Sequence, residues 1–168
     1  LVFPMTLEEL WTSDQTLRDS SAFLDAQDAF VLGPGLGQSG ETREGLKRLL
    51  SELSGPVVLD ADALNNFSSH PEEFVACDEA ILTPHPGEAA RLLDQPIKTI
   101  QKNPLECLRE LVDTTGQTVI LKTSRPLIGH TDGSVSVNAT GTPALAKGGS
   151  GDVLTGMLGG FLAQGVAP

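Results

Sequence analysis

The sequence is poor in the residues that mark disulfide-bonded or nucleic-acid-binding proteins. It has two cysteines, one tryptophan and no tyrosine, and 11 basic residues stand against 22 acidic ones. Cys77 and Cys107 lie in no metal-binding spacing, so we expect no zinc site but two reduced, partly buried thiols in a reducing, cytoplasmic compartment. The net charge of −11 argues against nucleic acid as a partner, because a phosphate backbone attracts basic surfaces.

Long apolar runs are also missing. No stretch approaches the roughly 20 apolar residues of a membrane span, so we expect no membrane partner. The first residues, Leu1–Thr6, do not begin with Met and lack the regions of a signal peptide; they read as part of a strand. We therefore expect residues 1–168 to form a single domain that is incomplete at both ends. Trp11 is interpreted as a packing or interface residue.

What the sequence does contain is a repeated alternation of strand and helix. Apolar runs that end in Gly, Pro or Asp clusters are followed by stretches of helical periodicity, which is typical of an α/β domain with a largely parallel sheet. The predicted strands are 29–32, 57–59, 80–82 and 118–121, and the predicted helices are 39–53, 88–93, 105–116 and one opening in 147–152 and ending near 164. Residues 126–130 and 134–137 flank an Asp-Gly turn, which predicts a late β-hairpin.

Unusual clusters follow three of these strands and begin the last helix. Ligands of open parallel sheets bind at the carboxyl ends of the strands, so we expect these clusters to gather at one edge. The cluster Gly148-Gly149-Ser150-Gly151-Asp152 lets several amides face one anion at the positive end of a helix. Asp152 could accept a proton from an attacking hydroxyl, or it could serve only as a helix cap.

Two further clusters each allow a functional and a structural interpretation. Gly33-Pro34-Gly35-Leu36-Gly37 is either a backbone surface for a substrate phosphate or ribose, or a tight connection. Asp60 and Asp62 either hold magnesium or orient a hydroxyl, or they cap the helix that follows.

Residues 83–88, with the sequence TPHPGE, hold a histidine between two prolines that fix the backbone around it. His85 is therefore presented rigidly, and Glu88 could reach a magnesium-bound water or phosphate. The alternative is a proline-rich helix entry with Glu88 in the first turn. His70 and His130 have no such setting, and we expect both to face solvent.

Lys122 ends the fourth predicted strand, and Thr123-Ser124-Arg125-Pro126 follows it. A lysine and hydroxyls at this place could contact the phosphates or ribose of a nucleotide. Surface solvation is the alternative for Lys122, and the same two interpretations apply to Lys147.

Five segments, taken together, closely resemble the ADP- or ATP-dependent NAD(P)HX dehydratase domain of the ribokinase-like superfamily. They are VLGPGLGQ (31–38), PVVLDADALN (56–65), ILTPHPGEAARLL (81–93), TVILK (118–122) and KGGSGDVLTGMLGGFLAQG (147–165). They occur in the family's order and spacing from about Ala29 to Gln164. The resemblance implies a three-layer α/β/α fold with a mostly parallel central sheet.

The resemblance also implies an activity and a set of site residues. Such enzymes phosphorylate the hydroxyl of hydrated NADH or NADPH with ADP or ATP and magnesium, then eliminate phosphate. By that pattern Asp152 activates the hydroxyl, and the amides of Gly149, Ser150 and Gly151 bind the developing charge. The implied substrate contacts are Gly35, Gly37, His85 and Asp152; the implied nucleotide contacts are Lys122, Thr123, Ser124, Arg125, Pro126 and Gly151; Glu88 is the indirect metal contact.

The sequence departs from the family pattern in the nucleotide region and at the ends. Leu121-Lys122-Thr123 stands where LKG is common, and residues 141–146, GTPALA, where GNPGMA is common. The family's opening and closing elements are missing, so we expect exposed sheet edges and weak or no activity for these 168 residues alone. The resemblance further implies a homo-oligomer.

Two other functions stay open on the sequence. One is a ribokinase-like kinase of a vitamin precursor, although His85 stands where such kinases usually have Asn. The other is a non-catalytic nucleotide-binding module. A stable phosphorylated vitamin would indicate the first, and nucleotide binding without turnover the second.

Overall fold

The computed structural model describes residues 21–76 and 79–167 and shows a six-stranded sheet in the order β1 to β6. The strands are β1 (Phe30–Leu32), β2 (Val57–Leu59), β3 (Ala80–Leu82), β4 (Thr118–Leu121), β5 (Leu127–Gly129) and β6 (Val135–Val137). β1 to β4 are parallel, and β5 and β6 add an antiparallel hairpin. The predicted mostly parallel sheet with a late hairpin is therefore confirmed. The predictions for Leu1–Thr6, Trp11 and Cys77 lie outside the described residues.

Helices connect the parallel strands and flank the sheet. They are α1 (Gly40–Glu52), α2 (Asp62–Asn66), α3 (Pro86–Leu92), α4 (Ile97–Lys102), α5 (Pro104–Thr115) and α6 (Ser150–Leu162), with 3₁₀ turns at Pro71–Ala76 and Pro143–Leu145. α1 begins where Ser39 accepts a hydrogen bond from the Thr42 amide, and α5 ends at Gly116 in the left-handed conformation. The predicted helices are present, whereas α4 was not predicted.

The alternation of side chains along the strands divides the core between the two faces of the sheet. Val57 and Leu59 belong to the larger core cluster, which includes side chains of α1, α3 and α5. Val58 and Ile81 belong to a second cluster with Leu162 of α6. Helices therefore cover both faces, which is the three-layer α/β/α arrangement.

The parallel strands place their following segments at one edge, as predicted. The Thr83 amide donates to the Leu59 carbonyl at 3.1 Å, and the Lys122 amide donates to the Pro84 carbonyl at 2.9 Å. α6 packs close to β1 at Gly159, where a Cβ would lie only 2.4 Å from Val31 Cγ2. Within the described residues, no helix has the length and apolarity to cross a bilayer.

Candidate active site

The centre of the strand-end edge is a buried ionic cluster around Asp60, whose residue is 2% exposed. Its Oδ1 accepts hydrogen bonds from Lys122 Nζ at 2.7 Å and from the Ala61 amide at 2.9 Å, and its Oδ2 accepts one from Thr155 Oγ1 at 2.8 Å. Burial by itself raises the pKa of Asp60, but the hydrogen bond and positive charge of Lys122 and the other two donors outweigh it, so the pKa is lowered. Asp60 therefore stays ionised and joins β2, β4 and α6.

Glu88 is a second buried carboxylate, and it is tied to His85. The Glu88 residue is 5% exposed, and its Oε2 accepts a hydrogen bond from the His85 amide at 2.8 Å. The His85 Nδ1 in turn accepts from the Glu88 amide at 3.3 Å, which completes a capping box at the start of α3, and from the Gly87 amide at 2.9 Å. Burial raises the pKa of Glu88. The hydrogen bond from the His85 amide and the charges of His85 and Lys122 lower it by less, so the pKa stays above its usual value. The helix-entry interpretation thus describes the geometry. The His85 Nε2 also lies 3.1 Å from Glu88 Oε1, and about half of the His85 side chain (49%) stays exposed.

The glycine loop, residues 33–37, is held against the segment that follows β2. A Cβ at Gly33 would lie 1.8 Å from the Asp60 carbonyl oxygen, so the two backbones pack directly. The Gly37 amide donates to Asp62 Oδ2 at 3.0 Å, and Asn66 Nδ2 donates to the Gly37 carbonyl at 2.9 Å. Gly35 faces open space. Gly33 therefore allows the loop to pack against the segment after β2, whereas Gly35 faces outward.

Asp62 and Asp60 do not cap α2 with their side chains. Asp62 instead accepts from Gln38 Nε2 at 2.7 Å as well as from the Gly37 amide. These hydrogen bonds, with that of Gln38 the largest, lower the pKa of Asp62. The capping alternative for the two aspartates is therefore wrong.

The start of α6 is open and rich in glycine. Gly149 has a left-handed φ of +84°, and a Cβ at Gly148 or Gly149 would meet nothing within 4 Å. The Ser150 amide donates to the Lys147 carbonyl at 3.2 Å, but in the described part of the chain the amides of Gly151 and Asp152 have no acceptor. Asp152 is exposed in the first turn and does not enter the core.

Gly151 connects this open turn to the buried cluster. A Cβ placed on Gly151 would lie 3.5 Å from Asp60 Oδ2 and 3.6 Å from Lys122 Nζ. The start of α6 therefore lies next to the Asp60–Lys122 ion pair, and its first-turn amides, at the positive end of the helix, are suited to an anion.

Residues 123–126 form the tight turn between β4 and β5. Thr123 Oγ1 donates to the Arg125 carbonyl at 2.6 Å, and Pro126 accepts from the Asn138 amide at 2.9 Å. Ser124 and Arg125 are exposed, and Thr123 is half-buried. The Lys122 ammonium, in contrast, faces Asp60, so surface solvation does not describe it.

The sequence did not single out Thr155 or Asn66. Thr155 is buried, and the sequence feature that could have indicated its role is a lone hydroxyl within the apolar run from Val153 to Leu162. His70 is exposed as predicted, but His130 is half-buried, with its Nε2 3.2 Å from Ser136 Oγ on β6. Cys107 is a free, buried thiol.

The parallel sheet, the glycine turns at its strand ends and the Gly-Ser-Gly-Asp helix start define a ribokinase-like α/β protein. A ribokinase-like superfamily protein from Enterococcus faecalis V583 has the same fold, with a TM-score of 0.71 and 30% identity over 89% of this chain and 52% of that one. Residues 3–168 match the family described as NAD(P)H-hydrate dehydratase, and the chain belongs to that family.

Two relatives within the family carry names that describe their ligands. The ADP-dependent (S)-NAD(P)H-hydrate dehydratase of Neisseria meningitidis serogroup B is 42% identical over 152 residues, which are 88% of this chain and 51% of that protein. The ADP/ATP-dependent NAD(P)H-hydrate dehydratase of Bacillus subtilis, solved with ATP and Mg²⁺, has a TM-score of 0.70 at 36% identity, over 85% of this chain and 52% of that one. The chain thus spans about half the length of these relatives.

Proposed function

We propose that the protein restores NADH and NADPH from their hydrated forms, with ADP or ATP as the phosphoryl donor. The supporting observation is the juxtaposition of the exposed Asp152, the acceptor-free amides of Gly151 and Asp152, and the Lys122 ammonium beside Gly151. A carboxylate, anion-binding amides and a cation are the groups that phosphoryl transfer to a hydroxyl needs.

The reaction has two steps. The hydroxyl of the hydrated nicotinamide ring attacks the terminal phosphorus of the nucleotide; an O–P bond forms, the phosphoanhydride P–O bond breaks, and AMP or ADP leaves. Asp152 takes the hydroxyl proton, and the amides at the start of α6, including those of Gly149 and Gly151, stabilise the charge in transit. The ring nitrogen's electron pair then expels phosphate, and loss of a proton from the neighbouring carbon restores the double bond.

Of the implied anion-binding amides, that of Ser150 differs from its neighbours. It already donates to the Lys147 carbonyl at 3.2 Å. Its contribution therefore requires that this weak bond be exchanged for one to phosphate, whereas the amide of Gly151 can donate without such an exchange.

Magnesium fits the residues as an ion that arrives with the nucleotide. The described residues hold no cluster of three or more His, Cys, Asp or Glu that could bind a metal alone. Glu88 supplies a hard carboxylate near Lys122 and Asp60, and Mg²⁺ typically binds one or two carboxylates together with substrate phosphates and waters. Glu88 would hold the ion through water, and the ion would neutralise charge on the phosphates.

The two ligands would occupy different sides of α6. The hydrated dinucleotide would contact Gly35, Gly37, His85 and Asp152, and the adenine nucleotide would contact residues 122–126 and Gly151. The backbone groups of Gly37 are occupied by Asp62 and Asn66, so Gly37 would offer its open Cα side. These ligands are small molecules; we further propose a homo-oligomer in the cytoplasm, with neither nucleic acid nor membrane as a partner.

A substrate screen on the complete gene product tests this function. ADP and ATP with Mg²⁺ are each supplied with hydrated NADH, hydrated NADPH, hydroxyethylthiazole or a hydroxymethylpyrimidine, and released phosphate and phosphorylated products are measured. We expect phosphate release and new absorbance of the reduced dinucleotide with the hydrated forms. A stable phosphorylated vitamin precursor, or nucleotide binding without turnover, would contradict the proposal.

A further inference from the structure

We propose that Asp60-Ala61-Asp62, the kinked segment, positions the two sides of the site separately. Asp60 fixes the start of α6, where the phosphoryl group would lie, and Asp62 fixes the glycine loop, where the dinucleotide would lie. This inference rests on the proposed function for the identity of the two ligands.

The Asp60 side of the segment acts through Thr155. Thr155 lies one turn after Gly151, and its Oγ1 is 2.8 Å from Asp60 Oδ2 and 2.9 Å from the Gly151 carbonyl oxygen. Because a hydroxyl has one proton and Asp60 is ionised, the two acceptors share that proton. The charged, buried acceptor gives the stronger bond, so Asp60 draws the first turn of α6 onto the sheet edge.

The Asp62 side of the segment acts through backbone groups of the glycine loop. Asp62 uses one carboxylate oxygen for the Gly37 amide and the other for Gln38, at 3.0 Å and 2.7 Å. Asn66, four residues later, holds the Gly37 carbonyl and also donates to the Asp62 carbonyl at 2.7 Å. The carboxylate of Asp62 thus sets where the loop ends, and it makes no bond to Asp60, Lys122 or Thr155.

Ala61 explains why neighbouring carboxylates serve opposite sides. Its φ of +48° and ψ of −118° lie in a region that a residue with a side chain rarely adopts, so the backbone is strained here. This turn sends Asp60 toward Lys122 and Asp62 toward Gly37, whereas an extended backbone would not keep both sets of bonds. The strain is maintained by the bonds on either side of it.

The test uses variants that remove one side at a time in the complete gene product. Thr155→Val removes the hydroxyl at α6, and Thr155→Ser keeps it. Thr114→Val is the matched control, because Thr114 Oγ1 makes the same kind of bond to the carbonyl four residues earlier, at 2.7 Å, without an aspartate. Asp62→Asn exchanges one acceptor oxygen for an NH₂ group on the loop side.

We expect the two sides to separate in both kinetics and binding. Thr155→Val lowers kcat and the affinity for ADP about tenfold, the effect of about one hydrogen bond to a charged group, and leaves the affinity for NADH unchanged. Asp62→Asn raises the KM for hydrated NADH and the Kd for NADH by a similar factor, with kcat and ADP affinity retained. Thr155→Ser restores kcat, and Thr114→Val changes neither.

The outcomes distinguish this inference from the proposed function. Equal losses for both ligands in both variants, or no rescue by Thr155→Ser, would overturn the two-sided role even if the wild-type protein releases phosphate. A wild-type protein that binds ADP and NADH but releases no phosphate would overturn the proposed function. In that case the affinities of Thr155→Val and Asp62→Asn for ADP and NADH would still decide the role of the kinked segment. A wild type that binds neither ligand would count against both.

Discussion

The two halves of the site differ in how their polar groups are satisfied. In the buried half, Asp60 and Glu88 are 2% and 5% exposed, and each accepts hydrogen bonds from within the chain. In the open half, Gly35 and Gly148 face empty space and Asp152 is exposed. The buried half therefore holds the strand ends together, with Lys122 and Glu88 at its border, whereas the open half leaves its polar groups without partners among the residues described and available to a ligand.

The largest effect expected from the comparison concerns two glycines of one loop. Gly33→Ala drives a Cβ to 1.8 Å from the Asp60 carbonyl oxygen, a backbone atom that cannot rotate away, so we expect a loss upwards of about 3 kcal/mol in the free energy of unfolding. Gly35→Ala meets open space and bears only the cost of its φ of +77°, about 1–2 kcal/mol. Denaturant unfolding measures both, and equal losses would contradict the division.

The next effect concerns the ion pair in the buried half. Asp60→Ala leaves the Lys122 ammonium, with its side chain 21% exposed, without its partner, and we expect a loss of about 3 kcal/mol. Replacing Lys122 by Met in the same chain removes the orphaned charge and should recover about 1–2 kcal/mol of that loss. A double-mutant cycle by urea unfolding measures the coupling. Strict additivity would show that the pair does not interact in solution.

The smallest effect is the pH dependence that Glu88 imposes on stability. Since the folded-state pKa of Glu88 is raised above its usual value of 4.5, the native state binds more protons than the unfolded state above pH 4.5, and stability falls as the pH rises through the folded-state pKa. Glu88→Gln removes this loss, so the variant gains relative to the wild type as the pH rises from about 4.5 to 7.

Asp60 changes the pH dependence of stability in the opposite direction. Its lowered pKa gives stability that is complete above its usual value of 3.8 and is lost as the pH falls through the folded-state pKa.

Chemical unfolding at several pH values compares wild type with Glu88→Gln. A difference between them that stays constant from pH 4.5 to 7 would mean that Glu88 is not desolvated.

The sequence was sufficient for the sheet and for the gathering of the strand-end clusters at one edge. Buried apolar runs such as Val57–Leu59 and Thr118–Leu121 predict strands directly, and parallel strands then require their carboxyl ends to meet. α4 escaped prediction because Ile97–Lys102 contains β-branched residues and has a proline on either side.

The bonds within the site could not be read in the same way. Asp60 and Lys122 are 62 residues apart in the chain, and nothing local to either residue indicates that they pair. Thr155 reads as an ordinary helix residue until the position of β2 beneath it is known. The left-handed φ of Ala61 is equally hidden, because alanine is not a residue that patterns assign to such a turn.

One comparison of variants tests the central claim, that the exposed carboxylate beside the open amides carries the chemistry. Phosphate release from ADP or ATP with hydrated NADH is measured for the complete gene product, for Asp152→Asn, and for Asp113→Asn as an exposed control on α5. We predict that Asp152→Asn lowers kcat by about 10²–10⁴-fold without a change in melting temperature, and that the control retains full activity. Full turnover by Asp152→Asn, or a loss that follows from unfolding, would contradict the account.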